Sequence, residues 1–325
     1  MRFARLVPVL FACLMALPLW STALAQNYPN RLVRIVVPYP PGAITDTLPR
    51  LVADKLRDEW GQPVVVENRP GAGGRIGTEQ VAKAAPDGYT LVIGIPDTIA
   101  IAPYLFKSIP YDPNRDLVPV TMLARQSYVV IARQELPVAN LGDLVKLAKA
   151  EPGKLRFGSW GDGSAAHLSM EMLKGAAHVN LQHIPYKGSA QLLLGLLAGE
   201  VDVMFAGYST TQPHIKAGKL KVLARTSPNR FSLTPEIPTV AELGFPGFEV
   251  QAWYGLFAPA QTPRAIVEQV QKSVARALAA PEIKSRLDAF YAEGVGNSPD
   301  DFARQIRDEQ TRWSGLLKNL KLSLD

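Results

Sequence analysis

Short apolar runs rich in β-branched residues alternate with helical patterns along most of the chain. Val33–Val37, Leu91–Ile95 and Val129–Ala132 are almost continuously apolar instead of strictly alternating. Strands that are covered on both faces show this pattern, which is typical of a largely parallel sheet with helices on either side. The same pattern predicts further strands at Val64–Val66, Arg156–Ser159, Val201–Phe205, Val222–Ala224 and Trp253–Phe257.

Helical spacing of apolar residues marks the segments between these strands. Leu48, Leu51, Val52 and Leu56 recur at intervals of one to four residues that place them on one helix face, and Leu141–Ala148 shows the same spacing. Further helices are predicted over Ala165–Leu173, Ala190–Leu197 and most of Pro263–Leu317, with breaks near Pro281 and Gly294–Pro299. The predicted fold class is therefore α/β.

Two longer extended stretches, Val118–Arg133 and Phe248–Pro259, are each long enough to cross from one sheet to another. If both cross, the chain passes twice between two lobes. We predict that residues 26–124 and 251–325 form the first lobe and that residues 125–250 form the second. The cleft between two such lobes is the expected ligand site.

The first 25 residues have the features of a cleaved signal peptide. A basic start precedes the apolar run Leu6–Trp20, and the small-residue pattern Ala23-Leu24-Ala25 follows it. We predict cleavage between Ala25 and Gln26 and export to the periplasm. A membrane anchor fits less well, because a bilayer span needs about 20 apolar residues and Pro18 interrupts this run.

Composition narrows the class of protein further. The 325 residues include 35 Lys and Arg, 29 Asp and Glu, and one cysteine. The basic residues are dispersed, so the charge does not indicate a nucleic-acid partner. The predicted cleavage removes Cys13, which excludes disulfides and thiol chemistry from the mature chain.

No motif for catalysis stands out in the sequence. There is no nucleophile elbow, phosphate-binding loop or paired-histidine zinc motif. The four histidines, at positions 167, 178, 183 and 214, lack the spacing of ligands on one helix, and we interpret them as capping or surface residues. The glycine-rich segment Pro70–Gly77 has Ile76 where a dinucleotide fingerprint needs its last glycine, so a tight turn is the favoured interpretation. We therefore predict no enzyme activity, no cofactor and no metal.

Two strand–loop–helix junctions, Pro40–Asp46 and Gly158–Ala165, have the features of binding loops. Each presents backbone N–H groups and the positive end of a helix dipole at the end of a strand, where ligands of parallel α/β sheets bind. Such a helix start suits a carboxylate or a phosphate. The alternative is an ordinary capped helix, with Thr45 or Ser164 as the cap.

Motifs in the same order as in a known family cover nearly all of the predicted mature chain. They are Tyr28-Pro29, Ile35–Pro38 with Pro41-Gly42 and Asp46, Glu67–Gly74 with Ile76-Gly77, Ala85–Thr90, Tyr111–Pro113, Gly163 with His167-Leu168, Ile184–Ser189, Gly199–Asp202, Pro213–Lys219, Pro238–Glu242 and Trp253–Leu256. With them, the chain resembles the periplasmic solute-binding receptors of tripartite tricarboxylate transporters, often called the Bug family.

The resemblance implies a two-lobed periplasmic-binding-protein fold of the Venus-flytrap type, similar to type II, which binds a small carboxylate without catalysis or metal. The residues implied to line the ligand are Tyr39, Gly42, Ala43, Ile44, Thr45, Asp46, Ser159, Gly163, Ser164 and Ala165, with Asp97 and the turn Tyr186-Lys187-Gly188 beside them. We expect Asp46 to order the first loop, because a carboxylate repels an anionic ligand. Lys187 pairs either with the ligand or with a neighbouring acid.

Three positions depart from the family pattern. Ala43 and the bulky Ile44 follow Gly42 where the family often has two glycines, and Trp160 stands where a small residue is expected. Tyr208 lies where many members have an aspartate, whose absence argues against an amino-acid ligand. If these side chains face the cleft, they favour an aromatic or longer carboxylate. The alternative is that Trp160 packs under its loop.

The sequence thus predicts an exported receptor for a di-, tri- or aromatic carboxylate. The receptor would deliver its ligand to the membrane permease subunits of a tripartite transporter. A ligand-sensing accessory of a membrane sensor kinase is the first alternative, and an exported hydrolase is the second.

Overall fold

The computed structural model describes residues 28–320 and 322–324, and it confirms the α/β class. The predicted signal-peptide cleavage lies outside the described residues. The strands are β1 Val33–Val37, β2 Val64–Asn68, β3 Thr90–Gly94, β4 Leu117–Arg133, β5 Arg156–Ser159, β6 Gln182–Pro185, β7 Val203–Gly207, β8 Leu220–Arg225, β9 Gln251–Pro259 and β10 Glu293–Gly294.

Helices occupy most of the connections between the strands. They are α1 Ile44–Trp60, α2 Arg75–Ala82, α3 Ala102–Leu105, α4 Pro113–Asp116, α5 Leu141–Ala150, α6 Ala165–Ala177, α7 Ser189–Leu197, α8 Tyr208–Lys216, α9 Arg264–Leu278, α10 Pro281–Ala289 and α11 Pro299–Leu320, with a π-helical turn at Asp97–Ile101. The predicted break at Pro281 separates α9 from α10, because proline suits the first helical position. None of the helices described is long and apolar enough to cross a membrane.

The strands join through β4 into one curled sheet. The first part of β4, Leu117–Ser127, pairs with β9, and its second part, Tyr128–Arg133, pairs with β7 and β8. We call the two parts of the sheet the first half-sheet (β2, β1, β3, β9, β10 and Leu117–Ser127) and the second half-sheet (β6, β5, β7, β8 and Tyr128–Arg133).

The expectation of a largely parallel sheet holds only at the flanks. Strands β1, β2 and β3 are mutually parallel, as are β5, β6 and β7, but every pairing of β4 and β9 is antiparallel. Most residues of β4 and all but the first residue of β9 are buried, so their sequences do not reveal this difference in direction.

Only one of the two long stretches crosses between the half-sheets as a paired strand. β9 lies wholly in the first half-sheet, and the residue before it, Val250, donates its N–H to the carbonyl of Thr226 at 3.0 Å. The chain therefore returns from the second half-sheet to the first at Val250, which contacts Thr226 just after the end of β8. The boundaries of the two lobes stay a prediction.

A buried carboxyl anchors α11 against β9. Glu309 is 7% exposed, and its oxygens accept hydrogen bonds from the indole nitrogens of Trp253, at 2.5 Å, and Trp313, at 2.9 Å. Burial raises the pKa of Glu309, although both indole groups act in the opposite direction. The carboxyl satisfies two donors that would otherwise be buried without a partner.

We predict that Glu309→Ala lowers the free energy of unfolding by about 3 kcal/mol, because it leaves both indole N–H groups unsatisfied. Urea denaturation measures the change. Glu293→Ala is the control, since Glu293 forms an exposed ion pair with Arg125, and its loss should cost less than about 1 kcal/mol. Equal losses in the two variants would contradict the anchoring role of Glu309.

Candidate ligand-binding site

The loop between β1 and α1 is ordered by the carboxylate of Asp46. This carboxylate accepts hydrogen bonds from the backbone N–H of Gly42 at 3.1 Å, from Arg50 Nε at 2.9 Å and from Asn68 Nδ2 at 2.9 Å. Burial raises the pKa of Asp46, but the hydrogen bonds from Arg50, Asn68 and Gly42 outweigh it and hold the pKa below its usual value. Asp46 therefore orders the loop, as the sequence predicts.

The start of α1 has no side-chain cap. Ala43 precedes the helix and Ile44 begins it, so Thr45 lies inside the first turn, and the alternative of Thr45 as the cap is wrong. Within the described part of the chain, the N–H groups of Ala43, Ile44 and Thr45 have no acceptor. Gly42 and Ala43 are exposed, and Gly42 turns the loop with a φ of +102°. These three N–H groups and the helix dipole form a positive end that suits an anion.

The start of α6 is capped, as the alternative for this loop predicts. Ser164 Oγ accepts a hydrogen bond from the N–H of His167 at 3.4 Å and donates one to the carbonyl of Gly161 at 2.7 Å. Ser159 is fully buried beneath the loop, where its hydroxyl contacts His183 Nε2 at 2.7 Å and accepts from the N–H of Gly161 at 3.2 Å. The hydroxyl of Ser159 thus supports the loop from within.

The interpretation of the histidines as capping or surface residues is wrong for His167 and His183, which lie stacked under this loop. The rings of His167 and His183 are 3.8 Å apart and 11° from parallel, and Phe157 stacks on His183. Burial lowers the pKa of both, and with the help of His167 it brings the pKa of His183 to about 4. Both rings are therefore neutral at pH 7. Their spacing of 16 residues along the chain gives no sign of the stacking.

His167, His183 and Asp162 lie near enough to one another to suggest a metal site. However, the lone pair of an imidazole nitrogen lies in the plane of its ring, so two parallel stacked rings cannot both point at one ion. His167 Nδ1 also accepts a hydrogen bond from the N–H of Gly163 at 3.0 Å. The geometry favours a structural role for this cluster.

The side chains of Ser159, His183 and Asp162 are also arranged like the serine, histidine and aspartate of a hydrolase triad. His183 Nδ1 is 3.5 Å from Asp162 Oδ1, and its Nε2 contacts Ser159. Ser159 is 0% exposed, so a substrate cannot reach its hydroxyl. These contacts therefore do not make Ser159 a nucleophile that a substrate can reach.

The loops after β3 and β5 meet between the two half-sheets. Asp97 begins the π-helical turn after β3, and its Oδ1 accepts a hydrogen bond from the N–H of Ala165, the first residue of α6, at 3.4 Å. Burial raises the pKa of Asp97, although hydrogen bonds from Ala165 and Trp160 act in the opposite direction. Gly163, with a φ of +69°, packs so closely against Leu105 that a β-carbon would collide with it.

Tyr39 and Trp160 line the same region. The Tyr39 hydroxyl lies 3.2 Å from Thr98 Oγ1, next to Asp97 in the chain, and its ring covers Gly74. Trp160 is partly buried and packs on Tyr128 of β4, with 5.7 Å between ring centroids. The structure therefore brings the loops after β1, β3 and β5 together around these two aromatic rings.

Two other predicted tyrosines have different surroundings. Tyr186 donates its hydroxyl to Glu200 at 2.9 Å and packs on Gly195, and burial together with Glu200 raises its pKa to about 12. Tyr208 begins α8 and is buried against Tyr291, with 4.6 Å between ring centroids. Contact of either side chain with a ligand stays a prediction. Lys187 is exposed.

We predict that Gly163→Ala lowers the free energy of unfolding by about 1–3 kcal/mol, because the new methyl group meets Leu105 and the backbone has a positive φ. Gly175→Ala in α6 is the matched control, since nothing lies within 4 Å of its added β-carbon. The control should be neutral or slightly stabilising. Chemical denaturation of both variants tests the close approach, and equal stabilities would contradict it.

We also predict that stability falls as pH decreases from about 6.5 to about 4. In the unfolded chain His183 has an ordinary pKa and takes up a proton first, so acid favours unfolding over this range. His183→Gln should reduce this acid-induced loss by about 2 kcal/mol. His178→Asn, at an exposed left-handed position, is the control that should leave the profile unchanged. Urea denaturation at each pH gives the free energy of unfolding. If this free energy falls equally with pH in wild type and His183→Gln, the prediction is wrong.

Comparison with known proteins identifies the family. The sequence model of one protein family, the tripartite tricarboxylate transporter family receptor, matches residues 48–322 of this chain. Protein BugT of Bordetella pertussis is 36% identical over 322 residues, which make up 98% of this chain and 98% of that protein.

Solved structures agree with the fold. Rpa4515 of R. palustris, solved with adipate, has a TM-score of 0.81 and 35% identity and covers 91% of this chain and 99% of its own. MatC from Rhodopseudomonas palustris, solved with bound malate, has a TM-score of 0.76 and 33% identity. The match covers 89% of this chain and 100% of the MatC chain. The predicted periplasmic-binding-protein fold is confirmed. The chain belongs to the tripartite tricarboxylate transporter receptors, the Bug family of periplasmic solute-binding proteins.

Proposed function

We propose that this receptor captures a small carboxylate between the two half-sheets and delivers it to the permease subunits of a tripartite transporter. The observation that carries the proposal is the uncapped start of α1. Its three N–H groups have no acceptor among the described residues, and Asp46 holds the loop that presents them. The ligands of two neighbours, adipate and malate, are carboxylates and support this class of ligand.

The interaction energies are sufficient for such a role. A hydrogen bond to a charged group contributes about 1.5–3 kcal/mol, and a micromolar complex needs about 8 kcal/mol. Three N–H groups at the start of α1 supply a large part of that energy. Apolar contact with Tyr39 and Trp160 adds to it, since both side chains are only partly buried and lie beside the meeting loops.

In this proposal, the two lobes close around the bound ligand. The lobes would be residues 26–124 with 251–325, and residues 125–250, in a chain cut between Ala25 and Gln26. Their hinge would include Gln126 on β4, which donates to the carbonyl of Phe290 at 2.5 Å and accepts from the Tyr254 hydroxyl at 3.2 Å. Hinge motion about a few element-terminal residues is a common way to close around a ligand.

Calorimetric titration of the chain from Gln26 to Asp325 with mono-, di- and tricarboxylates tests the proposal, with sugars and amino acids as neutral or zwitterionic controls. Ala43→Pro should weaken carboxylate binding about 10- to 100-fold, because it removes one N–H, and a φ of −84° is close to the range of proline. Ala43→Gly is the matched control, since it keeps the N–H.

Two outcomes would contradict the proposal. If only neutral solutes bind, the ligand class is wrong. If Ala43→Pro binds a carboxylate as tightly as Ala43→Gly does, the start of α1 is not the anion site.

A further inference from the structure

The two helix starts that the sequence predicts to hold an anion are not equivalent. At α1, three consecutive N–H groups lack an acceptor in the described chain, and the preceding residue provides no cap. At α6, Ser164 caps the helix, and the N–H of Ala165 donates to Asp97. One helix start is therefore open to a ligand, and the other already carries a carboxylate of the protein.

Asp97 reaches α6 from the opposite half-sheet. It lies after β3 in the first half-sheet, whereas α6 follows β5 in the second, and 68 positions separate Asp97 from Ala165 in the sequence. The close packing of Gly163 on Leu105 brings these two loops together. No lysine or arginine of the described residues forms an ion pair with Asp97, so the dipole of α6, the N–H of Ala165 and Trp160 are its compensating groups.

This arrangement has a consequence for any ligand that spans the cleft. Tyr39, in the loop that leads to α1, lies 3.2 Å from Thr98 in the segment after β3. A carboxylate ligand held by the N–H groups of α1 would therefore extend its other end towards the loops after β3 and β5. A second carboxylate there would compete with Asp97 for the N–H of Ala165 at the start of α6. At a pH where Asp97 is ionised, it would also meet a like charge in a region shielded from water, where screening is weak. An uncharged end meets no such repulsion, and a hydroxyl or amide group there can donate a hydrogen bond to Asp97.

We infer that Asp97 determines specificity by restricting the ligand to a monocarboxylate whose far end is uncharged. The inference rests on the proposed function and narrows its ligand class. It sets this receptor apart from the neighbours solved with adipate and malate, since both of those ligands carry two carboxyl groups. The residues that act on the far end are Asp97 itself and the aromatic side chains of Tyr39 and Trp160.

Calorimetric titration at pH 8 with matched pairs of ligands tests this inference. The pairs are hexanoate with adipate and benzoate with terephthalate, and the members of each pair have one and two carboxylate groups. For a pair that binds, wild type should bind the monocarboxylate at least tenfold more tightly. Asp97→Asn keeps an oxygen that can accept from the N–H of Ala165 but removes the charge, so it should shift the affinity ratio at least tenfold towards the dicarboxylate. Asp97→Ser, which also vacates the helix start, should shift it in the same direction.

Asp112→Asn is the matched control. It removes one negative charge, and asparagine can keep the cap of α4 through the N–H of Asn114. This variant should leave the ratio unchanged, and a thermal melt of each variant shows that it is folded.

The outcomes separate the inference from the proposed function. If wild type prefers the dicarboxylate, or if both Asp97 variants keep the wild-type ratio, the role of Asp97 is overturned while carboxylate binding stands. If wild type binds no member of either pair and no other carboxylate of the wider titration series, both the inference and the proposed function are wrong.

Discussion

Strand β4 is the constraint on which the rest of the structure depends. Its 17 residues pair with β9 on one side of the molecule and with β7 and β8 on the other, so one continuous backbone belongs to both half-sheets. Because most of its side chains are buried, the strand cannot slip without moving two cores. Trp160, in the loop after β5, packs on Tyr128 at the point where β4 passes from one half-sheet to the other.

The site relies on backbone groups more than on charged side chains. Asp46 holds the loop before α1, and the stacked pair His167 and His183 supports the loop before α6. These side chains support the loops from beneath, and the first backbone N–H groups of α1 keep no acceptor among the described residues. Such groups are fixed by the helix and need no reorganisation on binding, so the binding energy is not reduced by ordering flexible side chains.

Burial of the carboxyl groups of Glu309 and Asp97 has an energetic cost, which nearby hydrogen-bond donors partly offset. Glu309 receives two indole donors, and Asp97 receives the N–H of Ala165. Because the pKa of both carboxyl groups is raised by burial, these hydrogen bonds oppose the penalty without removing it. In the proposed site, a carboxyl such as Asp97 at the meeting point of two half-sheets would make binding sensitive to the charge of the ligand.

The sequence by itself determined the α/β class, most strand and helix positions and the family. These features are local: an apolar run or a helical spacing reports the burial of a segment within a few residues. Tertiary structure decided the rest, because it depends on contacts between distant segments. The direction of β4 and β9, the stacking of His167 on His183 and the bond from Ala165 to Asp97 depend on contacts between residues 16 to 142 positions apart. Even the uncapped start of α1 follows from this, since Asp46 turns to Asn68 on a neighbouring strand and fixes where the helix begins.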